Sequence, residues 1–242
     1  MSASMLGFGE LFPVVVVAFI AFAIVMIVLG FKQAAKRRAA LTAWAQKHGC
    51  RFERSRRSLP EEPLFRCLKQ GSNRYAENCI IGQCDGREML AFDYHYETYS
   101  TDSEGRRQTH HHRFGAVILG SAFPLASLFI RREGFFDKLT QFVGLDDIDF
   151  ESAEFSRKFY VKAKEKRWAY DVITQDTMQF LLDYADGVSI EFAEDKAIVW
   201  SSRKLSPEKY DTVIHTLAGV LDRIPEYVIQ QQQTGQAGQT GV

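Results

Sequence analysis

The residue types best suited to chemistry are the histidines and carboxylates of a polar segment between residues 93 and 112. A hairpin turn centred near residues 103–104 brings its two arms face to face, with opposed Cβ atoms about 5 Å apart. Imidazole nitrogens and carboxylate oxygens are common ligands of divalent metals. The pattern therefore predicts a metal site on one face of the hairpin, beside Asp93, formed by His95, Glu97, His110 and His112.

This metal site depends on the register of the hairpin. The predicted pairs are His95 with His112 and Glu97 with His110, and a slip of one residue would move each partner to the other face. The alternative interpretation is a solvated polar face that holds no metal. In both interpretations the opposite, buried face contains Leu90, Phe92, Tyr94 and Tyr96.

Other signatures of chemistry are absent from the sequence. The acidic segment 146–151 has Ile148 and Phe150 between its carboxylates and is followed by Ser152, so it lacks the glycine that a calcium loop requires. The whole sequence contains no nucleophile elbow, phosphate-binding loop, dinucleotide-binding loop or zinc-protease motif. The absence of these motifs favours a non-enzymatic protein. We expect no cofactor other than the divalent metal of the predicted histidine site. No CxxC pair occurs, and we expect separate, partly buried thiols at Cys50, Cys67, Cys79 and Cys84.

A long apolar segment precedes the hairpin. Residues 11–31 contain no charged or strongly polar side chain, and a helix of this length measures about 30 Å, the thickness of the hydrocarbon core of a bilayer. A cleaved signal peptide would need a basic start, a shorter apolar run and a small-residue cleavage site, which this segment lacks. The sequence therefore predicts a transmembrane helix at residues 11–31 and contact with the lipid bilayer through it.

The charges on either side of this segment predict its orientation. Glu10 is the only charged residue before it, whereas five basic residues follow within 16 positions. The positive-inside rule then makes residues 1–10 extracytoplasmic and the C-terminal domain cytoplasmic, at an inner or plasma membrane. Residues 32–60 read as a basic juxtamembrane helix and linker, whose charges either lie at the membrane surface or only set the orientation. The predicted membrane-surface residues are Lys32, Lys36, Arg37 and Arg38.

The remaining chain predicts an α+β domain at residues 61–229, with antiparallel sheet and covering helices. Asp85-Gly86 is a strong hairpin signal. Whether this is one domain, or two with a boundary near 144–156, stays open. The Gln- and Gly-rich tail, 230–242, is predicted to be disordered. Predicted strands include 74–84, 88–99, 108–119 and 127–132, and predicted helices are 135–143, 175–185 and 206–224.

Several short segments carry a resemblance to other proteins. They are Phe92-Asp93-Tyr94 with Thr109, Ile148 to Glu151, Glu154-Phe155-Ser156, and Phe159 to Val161. In these segments and in the order of its parts, the chain resembles a group of uncharacterised bacterial single-span proteins, catalogued as a domain of unknown function. The resemblance covers residues 35–224 and implies one membrane span and a cytosolic α+β domain. It implies no substrate, cofactor or catalytic residue.

These observations favour a membrane-anchored domain that binds a protein partner or acts as a scaffold. Basic and acidic residues number 30 each, so the chain lacks the basic excess of a nucleic-acid binder. No small-molecule site is indicated. One alternative is a metal sensor or metal-dependent enzyme that uses the predicted histidine site. Another is lipid contact through Lys36, Arg37 and Arg38.

Overall fold

The computed structural model describes residues 8–132 and 145–237. Its first element, α1, is an unbroken helix from Phe8 to Lys47. The large apolar side chains between Val14 and Phe31 are exposed, and none of the described part of the domain covers them. This helix is therefore long and apolar enough to cross a membrane.

The C-terminal end of α1 belongs to the folded domain. Leu41 and Ala45 lie one turn apart and are fully buried against the sheet. The helix ends in a Schellman-type turn, in which Gly49 has a φ of +66° and the Cys50 amide donates to the Ala45 carbonyl at 2.8 Å. Strand β1 begins at Arg51, so the chain reverses without a linker.

Within the described residues the strands form one seven-stranded antiparallel sheet. Strand β4 is its centre, because β3 pairs with its first half, β6 with its second half, and β7 with residues of both. Asp85 and Gly86, with φ of 49° and 76°, form the predicted two-residue turn between β2 and β3. The strands are β1 Arg51–Arg56, β2 Ser72–Cys84, β3 Arg87–Thr101, β4 Arg107–Arg132, β5 Asp146–Asp147, β6 Phe159–Ala163 and β7 Val188–Ser201.

Both faces of the sheet are covered. The larger core lies under α1 and the later helices and contains Leu41, Phe155 and Leu217, whereas the smaller core contains Phe92 and is closed by apolar residues of the segment 57–71. The predicted α+β class is confirmed. The remaining helices are α2 Ala153–Lys158, α3 Lys166–Val172, α4 Gln175–Tyr184, α5 Tyr210–Asp222 and α6 Glu226–Ala237.

Some boundaries differ from those predicted. Strand β1 precedes the predicted domain start at residue 61, since its segment RFERSR has one apolar residue and alternation does not reveal an edge strand. Strand β4 joins the two predicted strands 108–119 and 127–132 through an irregular stretch between Gly120 and Leu125, where the register with β7 shifts. The sequence suggests a break there because glycine and proline occur within it.

The C-terminal tail also differs. Helix α6 includes residues 230–237, so the described part of the predicted disordered tail is helical. Val228 is buried in the core and anchors the helix, and glutamine is a good helix former, which allows α6 to continue past its last buried residue. The predicted helix 135–143 lies outside the described residues.

Candidate functional site

The hairpin of β3 and β4, residues 95–113, carries the predicted metal ligands, and we call it the histidine hairpin. In its observed register His95 faces Arg113 and Glu97 faces His111. The predicted pairs, His95 with His112 and Glu97 with His110, are therefore wrong by one residue. Because side chains alternate along a strand, this slip puts His111 beside His95 and Glu97 and puts His110 and His112 on the opposite face.

The turn of the hairpin explains the slip. Thr101 pairs with Arg107, which leaves a five-residue loop from Asp102 to Arg106 instead of the predicted turn centred on residues 103–104. The Asp102 carboxylate accepts hydrogen bonds from the amides of Glu104 at 3.0 Å and Arg106 at 2.9 Å. Gly105 has a φ of 79°, which a glycine adopts without strain. The signal that sets the register is therefore the spacing of this aspartate and glycine.

His110 and His112 serve the other face of the hairpin. The Nε2 atom of His110 is 2.7 Å from the Ser100 hydroxyl, and that of His112 is 2.8 Å from the Thr98 hydroxyl. The His112 ring also stacks on Tyr96, with centroids 4.6 Å apart. These two histidines therefore pair across the strands and do not join the predicted metal site.

His95, Glu97 and His111 form the histidine cluster. The Nε2 atom of His95 is 3.2 Å from Nδ1 of His111, which is 3.3 Å from Oε1 of Glu97. All three ligand atoms lie within 4.8 Å of one another. His95 Nδ1 lies 3.2 Å from the carbonyl oxygen of Asn73, to which it donates in the tautomer that leaves Nε2 free to accept a proton or a metal.

Glu97 is held as a charged acceptor within the cluster. The Asn73 amide donates to its Oε1 at 2.8 Å and the Tyr99 hydroxyl donates to its Oε2 at 3.1 Å. These bonds, with the nearby His111, hold the pKa of Glu97 below its usual value. The carboxylate is thus ionised at neutral pH and is oriented toward the two imidazoles.

The spacing of the cluster fits a small divalent metal. Ligand atoms about 2.0–2.1 Å from a tetrahedral zinc lie about 3.3 Å from each other, close to the two measured separations. The His111 side chain is 58% exposed, so solvent can complete the coordination sphere. His95, Glu97 and His111 would hold such an ion, and the Asn73 carbonyl would orient His95.

A second polar group lies on the same face of β3, at Asp93. Its side chain is 1% exposed and receives two bonds from Arg37 of α1, Nη2 to Oδ1 at 2.7 Å and Nε to Oδ2 at 3.2 Å. The Asn78 amide donates to Oδ2 at 2.9 Å, and the Lys204 ammonium lies 3.5 Å away. We call these four residues the anchor joint, since they connect helix α1 to the sheet.

The anchor joint corrects the prediction for Arg37. Its guanidinium points into the domain instead of toward the membrane surface, because Arg37, Leu41 and Ala45 share the helix face that packs on the sheet. Lys32 and Lys36 are exposed and Arg38 is half-buried. The four-residue spacing of Arg37, Leu41 and Ala45 could have shown from the sequence that Arg37 lies on the buried face of the helix. It could not have shown that Asp93 is its partner.

The cysteines are separate thiols. Cys67 and Cys79 are buried, and Cys50 and Cys84 are half-buried. Burial raises the pKa of Cys79 to about 12, so this thiol is protonated and unreactive at neutral pH.

No family model and no curated protein matches the chain. Among solved structures, its fold is similar to the crystal structure of the mycobacterial trehalose monomycolate transport factor A, TtfA, with a TM-score of 0.58. The two chains are 14% identical, and the match covers 78% of this chain and 95% of that chain. This likeness concerns the fold alone.

Proposed function

We propose that this chain is a non-enzymatic interaction module at the cytoplasmic face of a membrane, which presents its domain to a protein partner in one fixed pose. The observation that carries the proposal is the anchor joint. A helix able to cross a membrane continues unbroken into the core, where Arg37 and Asp93 pair at 2.7 Å. A flexible tether would leave the pose of the domain free, whereas a buried, bidentate ion pair holds one.

The orientation in this proposal comes from the charges around the helix. Lys32, Lys36 and Arg38 follow the apolar segment, and positively charged residues are enriched on the cytoplasmic side of single spans. TtfA is named as a transport factor, and a transport role beside a membrane is in keeping with a tethered binding domain. Tethering also raises the effective concentration of a domain for partners in the same membrane.

Photo-crosslinking in native membranes tests the partner. The full chain would carry a photoreactive phenylalanine in place of one exposed tyrosine at a time, Tyr170, Tyr184 or Tyr227, with Phe19 in the apolar segment as the control. We expect at least one tyrosine position to give a discrete protein adduct that the Phe19 position does not give. The absence of protein adducts at all three tyrosines would contradict the proposal.

A second candidate function is metal sensing or metal-dependent chemistry at the histidine cluster. The 3.2 and 3.3 Å separations of its ligand atoms favour it. The chain offers a matched pair of variants for this question, since His111 belongs to the cluster and the adjacent His110 faces away. Zinc binding that depends on His111 and not on His110 would support the metal site.

A further inference from the structure

We propose that the histidine hairpin lies against the lipid headgroup layer on the domain's side of the membrane. The partner at this surface is lipid, whereas the proposed protein partner is tested at Tyr170, Tyr184 and Tyr227. The helical rise of α1 gives the distance of Asp93 from the hydrocarbon boundary, and the length of β3 gives the distance that the hairpin extends from Asp93.

The first step is the height of Asp93. The apolar segment ends at Phe31, and Arg37 follows six residues later, which is about 9 Å along the helix axis. The headgroup region extends about 5–8 Å beyond each hydrocarbon boundary. Since Arg37 bonds directly to Asp93, this part of β3 lies just outside the headgroup layer, on the domain's side of the membrane.

The second step is the direction of β3. Trp44 and His48 lie farther along α1 from the membrane than Arg37, and they border the same cavity of about 430 Å³ as Cys84 and Met89. Residues 84–89 are therefore distant from the membrane, Asp93 is nearer to it, and β3 approaches the membrane as residue numbers rise.

Strand β1 gives the same direction independently. The chain reverses directly after α1, so β1 runs back toward the membrane. Its end, Arg56, pairs with Ala76 of β2, and Ala76 pairs with Tyr94 of β3. Tyr94 is thus on the membrane-proximal side of the sheet, as the contact of Asp93 with Arg37 requires.

The third step is the reach of the hairpin. Strand β3 continues for eight residues from Asp93 to Thr101, about 26 Å at 3.3 Å per residue. This is nearly three times the height of about 9 Å estimated from the helix rise. To remain in the headgroup layer, the hairpin therefore has to bend away from the axis of α1 beyond Asp93 and run at about 20° to the membrane plane. Burial of its many polar groups in hydrocarbon is costly, so the hairpin stops at the headgroups.

The exposed side chains of the hairpin suit this layer. Arg107 and Arg113 are exposed on it, and the Arg107 guanidinium lies 3.6 Å from the centre of the exposed Tyr99 ring. Arg106 is also exposed, but it is paired with Asp102 and Glu104 of the same turn. Arginine binds anionic headgroups and tyrosine is enriched at membrane interfaces.

Two glycines allow a matched test. Gly105 and Gly86 occupy the turns at opposite ends of β3, with φ of 79° and 76°, and a Cβ added to either would meet no heavy atom within 4 Å. A cysteine at either position therefore meets the same backbone strain and the same open space. With α1 along the membrane normal, residues 86–93 of β3 lie beside it, and Gly86 is about 23 Å farther from the membrane than Asp93.

The full chain would be reconstituted in vesicles of phosphatidylcholine and phosphatidylglycerol, with bimane attached at Gly105→Cys or at Gly86→Cys. Both proteins also carry Cys50→Ser and Cys84→Ser, because these two thiols are only half-buried. The serine protein without an added cysteine measures the background. The quencher is phosphatidylcholine with a nitroxide on its headgroup, which acts only over short distances.

We expect the headgroup nitroxide to quench bimane severalfold more at Gly105→Cys than at Gly86→Cys. Equal quenching at the two positions, or stronger quenching at Gly86→Cys, would overturn the proposal. The protein-partner proposal is tested at other residues and by another readout, so either one can fail without the other.

Discussion

The anchor joint and the histidine cluster each have a carboxylate on one face of β3, Asp93 and Glu97, yet the two carboxylates differ in their access to water. Asp93 of the joint is 1% exposed, whereas Glu97 of the cluster is 12% exposed and His111 is 58% exposed. A buried carboxylate needs a fixed cation, and Arg37 supplies it. The cluster combines the buried His95 with the exposed His111, so it can exchange water or a metal on its open side. Distance along β3 thus separates a structural ion pair from a group that remains free to bind.

Removal of the cation from the joint should have the largest effect. Arg37→Ala leaves Asp93 buried with only Asn78 and Lys204 as partners, and we expect a loss of about 3 kcal/mol in the free energy of unfolding. Urea unfolding of the full chain in detergent, followed by tryptophan fluorescence, measures it.

The neighbouring Lys36→Ala is the control for this experiment, since Lys36 is exposed and should change little. The double variant Arg37→Ala/Asp93→Asn should lose less stability than Arg37→Ala alone, because no buried charge is left unpaired. Equal losses for Arg37→Ala and Lys36→Ala would show that the joint does not hold the domain to its helix.

A second buried carboxylate, with a longer ion pair, sharpens the comparison. Glu191 accepts hydrogen bonds from the Arg66 amide at 3.1 and 3.3 Å, and its ion pair with Arg66 Nε measures 3.7 Å. Burial, opposed by these bonds and by the charges of Arg66 and Lys69, raises the pKa of Glu191 to about 7.

This shift predicts that stability falls as pH rises. Between the unfolded pKa of about 4.5 and the folded value of about 7, the folded state binds more protons than the unfolded state. The unfolding free energy should therefore decrease by up to about 3 kcal/mol between pH 5 and pH 8. Urea unfolding across this range measures the slope. Glu191→Gln should flatten it and the exposed Glu194→Gln should not, and a slope unchanged by Glu191→Gln would refute the assignment.

Zinc binding tests the histidine cluster, the more exposed of the two groups. His111→Ala removes a ligand of the cluster and should weaken zinc binding at least about 10- to 100-fold, the loss typical of even indirect partners of a metal. His110→Ala removes an imidazole from the other face and should leave zinc binding unchanged. Zinc titration of the untagged full chain against a coloured chelator measures both. Equal losses of zinc affinity in the two variants would contradict the metal site and favour a polar face that holds no metal.

The smallest effect is expected at the tip of the hairpin. Arg106 pairs with Asp102 at 3.1 Å and with Glu104 at 2.8 Å, the same chemistry as the pair of Arg37 and Asp93 but in water. Arg106→Gln should change the unfolding free energy by less than about 1 kcal/mol in the same urea experiment. A loss as large as that of Arg37→Ala would mean that burial is not what distinguishes the two pairs.

The two turns at the ends of β3 show why only part of the site could be predicted. Asp85-Gly86 permits a two-residue turn, so the register of β2 and β3 follows from the sequence between this turn and Ile80, beyond which it shifts. The turn at residues 102–106 depends on one aspartate side chain that binds two amides, and a loop longer by one residue moves every partner on β4. The histidine segment was therefore recognisable, but His111 could not be told from its neighbours.

The anchor joint was out of reach of sequence patterns for a different reason. Alternation correctly puts Asp93, His95 and Glu97 on one face, and charge suggested that this face is solvated. Helix α1 covers part of it, so burial begins at Asp93 and fades toward Glu97. Arg37 and Asp93 are 56 residues apart, and periodicity within each element cannot show that they meet.

In the proposed membrane-anchored arrangement, the direct passage from α1 into β1 lets the length of the helix set the direction in which the domain faces in the plane of the membrane. Insertion of one residue between positions 32 and 36 would rotate the domain by about 100° around the helix axis and raise it by about 1.5 Å. Seven added residues would nearly restore the bearing and lift the domain by about 10 Å. The number of residues between positions 32 and 36, and not only their charge, thus sets the rotation of the domain about the axis of α1 and so which of its surfaces faces a neighbouring membrane protein.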